Sequence, residues 1–218
     1  MQKTSPNELE LLLIGQVAHA APKRVLEGVD SELALRTAQG APHTIYTEVW
    51  HLAFWQQISL DWARGIETAC PEHASVGFPA PDQIAGEAWP SVQKRFLQGT
   101  EEAATITRDA SQLERKIACP SPPGHPSRTM TVREQLENLA AHNAYHLGRV
   151  VLLRQIFDAW PPTSGGFTWY FISSGVWREV TELLQCGRLD ILGHAPRHDW
   201  NRISARRNRP NGCRTHAV

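Results

Sequence analysis

The sequence predicts an all-α protein, a four-helix bundle followed by a weakly structured C-terminal tail. In four segments, apolar residues recur at alternating intervals of three and four, which places them on one face of a helix. Two of these segments begin with a capping box, and the stretches between segments are rich in proline and glycine. No alternating strand pattern, internal repeat, phosphate-binding glycine loop or GxSxG motif is present. These observations favour packed helices.

The first predicted helix covers residues 9–21 and follows a capping box of Ser5 and Glu8, with Pro6 at the first helical position. The second predicted helix covers about residues 44–64. One face of it carries a mixed polar and aromatic stripe, formed by Glu48, His51, Trp55, Ile58 and Trp62. His51 therefore lies on a helix face whose apolar and aromatic residues predict that the face is buried.

Residues 70–88 are rich in proline and small residues and predict a long irregular loop. Loops of that length in a compact domain commonly form the rim or lid of a site. The third predicted helix follows, from about residue 89 to residue 117. Gly99, Ala103 and Ala110 lie on its apolar stripe, where small side chains would let a neighbouring helix approach closely.

The fourth predicted helix, residues 131–157, follows a proline-rich connection and is the segment around which the rest is organised. Thr131 and Glu134 form a capping box at its start. Its apolar stripe, continued through the middle of the helix, reaches Asn143 and His146. Burying such side chains without a partner costs about 1–3 kcal/mol each, so something must satisfy them.

A metal ion is the sharpest candidate for that partner. His142 lies one turn before His146, so both imidazoles project from the same side of the helix, and His51 faces the same interior. Three nitrogens with an open coordination position are typical of a catalytic zinc site, although imidazole also binds nickel, iron, copper and manganese. The alternative is that these histidines are ordinary surface or core residues satisfied by protein groups.

Glu48, one turn before His51, is the candidate general base, because the motif HNAYH lacks the glutamate of the HExxH metalloproteases. The alternative for Glu48 is an acid in a first helical turn that complements the helix dipole. Asn143 is the candidate for orienting a ligand or binding substrate.

The composition of the chain limits the cellular compartment and the binding partners that we expect. The 218 residues are 41% hydrophobic, and 22 basic side chains balance 22 acidic ones. Without a basic excess, nucleic-acid and membrane binding are not expected. The four cysteines form no CxxC pair and indicate neither a zinc ribbon nor a dense disulfide framework. The apolar run in residues 9–21 is too short to span a membrane and lacks the basic start of a signal peptide. We expect a cytoplasmic protein.

Residues 170–218 differ from the rest, with eight arginines against four acidic residues and little periodicity. We predict a weakly ordered basic tail after a bundle domain of residues 1–169. The alternative is a basic arm for an acidic partner or nucleic acid, which so small a surplus supports only weakly.

Three motifs carry a resemblance to a known family: EVWHLAFWQ on the second predicted helix, AAHNAYHLGRVVLLRQ on the fourth, and DAWPPTSGGFTW after it. They resemble the DinB-like (damage-inducible) superfamily of metal-dependent enzymes, over about residues 7–169. The resemblance implies an up-down-down-up four-helix bundle, often dimeric. It also implies a divalent metal held by three histidines, here His51, His142 and His146. Zinc is expected first, with nickel, manganese or iron as alternatives.

The superfamily includes transferases and isomerases that use low-molecular-weight thiols, and proteins classed as hydrolases. The first functional hypothesis is therefore a hydrolase or thiol-dependent transferase for a small-molecule substrate, in which the metal lowers the pKa of a bound water or thiol. The second is a non-catalytic metal- or ligand-binding bundle of the stress response. The third, a DNA-associated protein, follows from the family's name and the tail, and the balanced charge of the chain disfavours it.

Overall fold

The computed structural model describes residues 7–17 and 19–165, and this part of the chain is mostly helical. The predicted basic tail of residues 170–218 lies outside the described residues. The described helices are α1 (Glu8–Leu13), α2 (Pro22–Val25), α3 (Ser31–Leu35), α4 (Ile45–Arg64), α5 (Pro81–Gly86), α6 (Trp89–Ile106), α7 (Ala110–Leu113) and α8 (Val132–Ile156). None of them combines the length and apolar character needed to cross a membrane.

A short 3-10 helix, Ala74–Gly77, lies between α4 and α5. Two strands, β1 (Lys116–Cys119) and β2 (Arg128–Thr131), lie between α7 and α8 and pair antiparallel. The proline-rich connection predicted from the sequence therefore becomes the loop of a β-hairpin. Its second strand runs directly into α8.

Local sequence explains where the two longest helices begin. At the start of α4, the Thr44 hydroxyl accepts a hydrogen bond from the backbone N–H of Thr47. At the start of α8, the predicted capping box is confirmed: the Thr131 hydroxyl accepts from the Glu134 N–H, and the Glu134 carboxylate accepts from the Thr131 N–H at 2.7 Å. Each cap satisfies backbone donors that a helix start leaves unpaired.

The helix α4 packs against both α6 and α8. One hydrophobic cluster joins Val49 from the first half of α4 with Val92 from the start of α6 and Val150 from the end of α8. A second cluster joins Leu60 from the end of α4 with Leu136 from the start of α8, and α1 packs beside it. The helix α8 therefore runs antiparallel to α4.

Between these two clusters, α4 and α8 face each other with polar side chains. His51 and Gln56 on α4, and Asn143 and His146 on α8, are all buried. The sequence prediction that the apolar stripe of the fourth helix is interrupted by buried polar groups is confirmed. The candidate site lies at this polar layer.

The predicted third helix, residues 89–117, is too long. The helix α6 ends at Ile106, and the chain continues through α7 into β1. The Asp109 carboxylate accepts from the backbone N–H of Ser111, which starts a new short helix in place of a continued one. Ala103 is buried as predicted, whereas Ala110 is exposed on α7.

The predicted first helix, residues 9–21, is also too long, since α1 ends at Leu13. Gly15 has a φ of 73°, a left-handed conformation that a side chain disfavours. A Cβ at Gly15 would also lie 2.7 Å from the Cα of Ala21, so the chain turns back on itself there. Ser5, part of the predicted capping box, lies outside the described residues, and Asn7 caps α1.

The packing of α8 predicts a clear contrast between two leucines of the same helix. Leu136 is 0% exposed inside the second cluster, and Leu152 is 56% exposed. Leu136→Ala should lower the free energy of unfolding by about 2–5 kcal/mol, because it leaves a cavity. Leu152→Ala should lower it by about 0.5 kcal/mol or less. Urea unfolding followed by circular dichroism measures both, and equal losses would contradict this packing.

Candidate metal centre

Three histidines from two helices form one group at the polar layer. His51 comes from α4, and His142 and His146 come from successive turns of α8. One ring nitrogen of each lies within 4.8 Å of the other two, a spacing that could hold a metal ion. The Nε2 atoms of His51 and His142 are 3.1 Å apart. The structure thus brings together the three histidines that the sequence singled out.

The backbone of the loop after α4 orients the ring of His51. The Nδ1 atom of His51 lies 2.8 Å from the carbonyl oxygen of Gly77. A carbonyl only accepts hydrogen bonds, so Nδ1 carries the proton and donates it. A neutral imidazole then has its lone pair on Nε2, which faces the other histidines. The loop therefore selects the tautomer of His51 in which Nε2 is available to a metal.

Glu48 orients the ring of His146 in the same manner. Its Oε2 lies 2.7 Å from the Nδ1 atom of His146, so that nitrogen donates to the carboxylate and Nε2 is the ring nitrogen left for a metal. Glu48 is 0% exposed, and its Oε1 lies 3.0 Å from Nη2 of Arg149 in an ion pair without the alignment of a hydrogen bond. Carboxylates behind ligating histidines are a recurrent feature of metal sites.

Burial keeps two of the three imidazoles neutral. It lowers the pKa of His51 to about 4, against the opposing effect of the hydrogen bond to Gly77. Burial also lowers the pKa of His142 to about 4, with a smaller contribution from the nearby His146. Both rings are therefore in the neutral form at pH 7, which is the form of histidine that binds a metal.

Aromatic side chains and a close loop cover one side of the group. The ring of Phe78 is stacked between His43 and His51, with centroid distances of 4.0 Å and 4.1 Å. A Cβ on the preceding Gly77 would lie 2.5 Å from Nε1 of Trp55, so a larger residue would push the loop away. The sequence pattern did not single out Gly77 or Phe78. The only relevant signal was the prediction that this loop borders a site.

Asn143 lies within the polar layer. It is 2% exposed, and its amide Nδ2 donates to Oε1 of Gln56 at 3.3 Å. Gln56 is held in turn by the carbonyl of Phe96 on α6, at 2.8 Å. The Oδ1 atom of Asn143 is buried and has no hydrogen-bond partner within the described residues. Its role in orienting a ligand stays a prediction.

Comparison with known proteins agrees with the motifs. A family profile described as the DinB superfamily matches residues 17–150, which is more than half of the chain. The matched region contains all three histidines, the loop that contacts His51, and Glu48. No curated protein matches the chain.

The three-histidine group predicts that the protein binds about one metal ion and that binding requires each of the three histidines. Protein purified without chelators or a histidine tag should contain about one equivalent of a divalent transition metal, or take it up when zinc, nickel or manganese is added. His51→Ala, His142→Ala and His146→Ala should each lose most of it, because two imidazoles bind more weakly than three. Elemental analysis of the purified proteins measures the metal content.

His125→Ala is the matched control, because His125 is exposed in the hairpin loop and should leave the metal content unchanged. Circular dichroism checks that each variant is folded. A wild-type protein that takes up none of the three metals would show that the histidines are core residues satisfied by one another and by Glu48 and Gly77.

Proposed function

The chain belongs to the DinB superfamily, and from that membership and the three-histidine group we propose that it is a divalent-metal-dependent enzyme. We propose a hydrolase or a transferase that uses a low-molecular-weight thiol, acting on a small molecule. His51, His142 and His146 would hold the metal, with zinc expected first and nickel, manganese or iron as alternatives.

One observation carries this proposal: ring nitrogens of His51, His142 and His146 lie within 4.8 Å of one another, and protein groups already hold the Nδ1 atoms of two of these rings. Gly77 fixes the ring of His51 and Glu48 that of His146, and His142 completes the group. Three imidazole ligands suit a divalent transition metal and leave a coordination position open, as in catalytic zinc sites. The donor set therefore fits the metal that the family implies.

A bound metal would supply Lewis acidity, lowering the pKa of a water or thiol in the open position. The chain's own residues would then do three things. Glu48 keeps the proton of His146 on Nδ1, Gly77 does the same for His51, and Phe78 excludes water from the side it covers. Because both oxygens of Glu48 are engaged, it can act as a general base only by giving up a contact to His146 or Arg149.

We also propose that the helices form the up-down-down-up bundle of the superfamily, with α1, α4, α6 and α8 as its four members. The contacts support this arrangement. Val92 at the start of α6 clusters with Val49 in the first half of α4, while Ala103 near its end joins the cluster of Leu60. The two middle helices are therefore parallel, and α8 is antiparallel to them.

Activity should require both the metal and His146. Zinc-loaded protein should turn over 4-nitrophenyl esters, or transfer cysteine or glutathione to 1-chloro-2,4-dinitrobenzene. Chelation should abolish the activity, and added zinc should restore it. His146→Ala should be inactive while remaining helical by circular dichroism. Protein that binds metal stoichiometrically yet is equally active with and without it would contradict the metal-dependent mechanism.

Glu48→Gln separates an orienting role from a base role. If Glu48 orients His146, the variant should lose about 10- to 100-fold in zinc affinity, because a neutral amide holds the ring less firmly and leaves Arg149 unpaired. Competition with a chromogenic chelator measures that affinity. Glu114→Gln is the matched control, since Glu114 forms an exposed ion pair with Arg133. An unchanged zinc affinity with a much lower kcat would instead identify Glu48 as the base.

A further inference from the structure

A cavity of about 330 Å³ adjoins the three-histidine group, because His142 belongs to both. Side chains from α4 and α8 form much of its wall, and residues of the loop after α4 and of the β-hairpin complete it. Its volume is at the low end of the range for small-molecule sites, which is about 300–1,000 Å³. A ligand in this cavity would have one end beside His142.

The wall of the cavity is mainly apolar. Trp55, Trp62 and Leu139 are among the residues that line it, and the indole N–H of Trp62 is already used in a hydrogen bond to the carbonyl of Thr68 at 2.7 Å. The amide of Gln135 is engaged as well, since its Nε2 donates to the hydroxyl of Ser59 at 3.0 Å. Apart from Arg128, His142 and the exposed amide of Asn138, the wall thus offers mainly apolar contact to a ligand.

The charge in the cavity comes from one side chain. Arg128 is the only arginine or lysine among the described residues that line it, and no aspartate or glutamate lines it. Arg128 is exposed and forms no ion pair with the acidic residues of the part of the chain described here.

The β-hairpin holds the backbone of Arg128 in place. Arg128 is the first residue of β2 and pairs with Cys119, the last residue of β1, whose side chain is fully buried. A guanidinium on an anchored strand, beside an apolar wall and without a competing carboxylate, is well suited to a bidentate contact with a ligand carboxylate.

We propose that this cavity binds a small organic acid, whose carboxylate pairs with Arg128 and whose apolar body lies against Trp55 and Leu139. The reacting end of the acid would lie beside His142. This inference rests on the proposed function, because it assigns the substrate class of the same metal site. Arg128 is then a specificity-determining residue, distinct from the three ligands.

Matched pairs of thiols test the inference through binding. The probes are 3-mercaptopropionate beside 3-mercapto-1-propanol, and 6-mercaptohexanoate beside 6-mercapto-1-hexanol, titrated into cobalt-loaded protein. The thiolate-to-cobalt absorption band reports sulfur bound to the metal, and the two lengths sample different reaches to Arg128. For at least one length, the acid should bind about tenfold or more tightly than the alcohol, as expected of a charge-assisted contact.

Arg128→Gln should reduce that preference to about twofold or less while leaving the affinity for the alcohol unchanged. Lys116→Gln is the matched control, because Lys116 is an exposed cation on the same hairpin that does not line the cavity, and it should keep the preference. A preference lost equally in both variants would reflect the general field of the hairpin and would overturn the inference.

Cobalt content, measured on each protein, separates this inference from the proposed function. Three results with stoichiometric cobalt would overturn the organic-acid site and leave the metal site standing. They are a wild-type protein without a preference for the acid, a wild-type protein without a thiolate band, and an Arg128→Gln variant that keeps the preference. A wild-type protein that takes up no cobalt overturns both.

Discussion

The burial of polar side chains between α4 and α8 is the constraint on which the rest of the structure depends. Each such group costs about 1–3 kcal/mol if it is left unpaired, and more if it is charged. The structure meets most of this constraint by pairing Glu48 with His146 and Arg149, His51 with Gly77, and the amide nitrogen of Asn143 with Gln56. The Oδ1 atom of Asn143 is left without a hydrogen-bond partner among the described residues. The apolar clusters on either side hold the two helices close enough for these contacts to form. Stability and site geometry therefore depend on the same helix pair.

The residues of the candidate site come both from packed helices and from the segments that connect them. The three histidines stand on the two longest helices, where packing fixes their positions. The loop after α4 contributes a carbonyl and the ring of Phe78, and the β-hairpin contributes Arg128. Connections vary more readily than packed helices, so loops of different sequence could change the surroundings of the same three-histidine group.

Much of the site could be predicted from the sequence, because its signals are local. The capping box of Thr131 and Glu134 and the interrupted stripe of α8 involve residues within a few turns of one another. The first and third predicted helices were too long, because a local apolar pattern does not by itself fix where a helix ends. Leu113 and Ile117 keep the helical spacing and are buried, yet they reach the core from α7 and β1. Apolar spacing reports burial, and a hairpin that pairs through its backbone can satisfy the same pattern.

The sequence by itself determined the helical class, the positions of α4 and α8, and the three histidines with Glu48 beside them. Only the tertiary structure decided what each of these groups contacts. Glu48 meets His146 across 98 residues of chain, and His51 meets the carbonyl of Gly77 across 26. The cavity joins Arg128 to His142 in the same way. Periodicity and caps are properties of neighbouring residues, whereas a ring tautomer or a substrate contact depends on which distant segment folds against it.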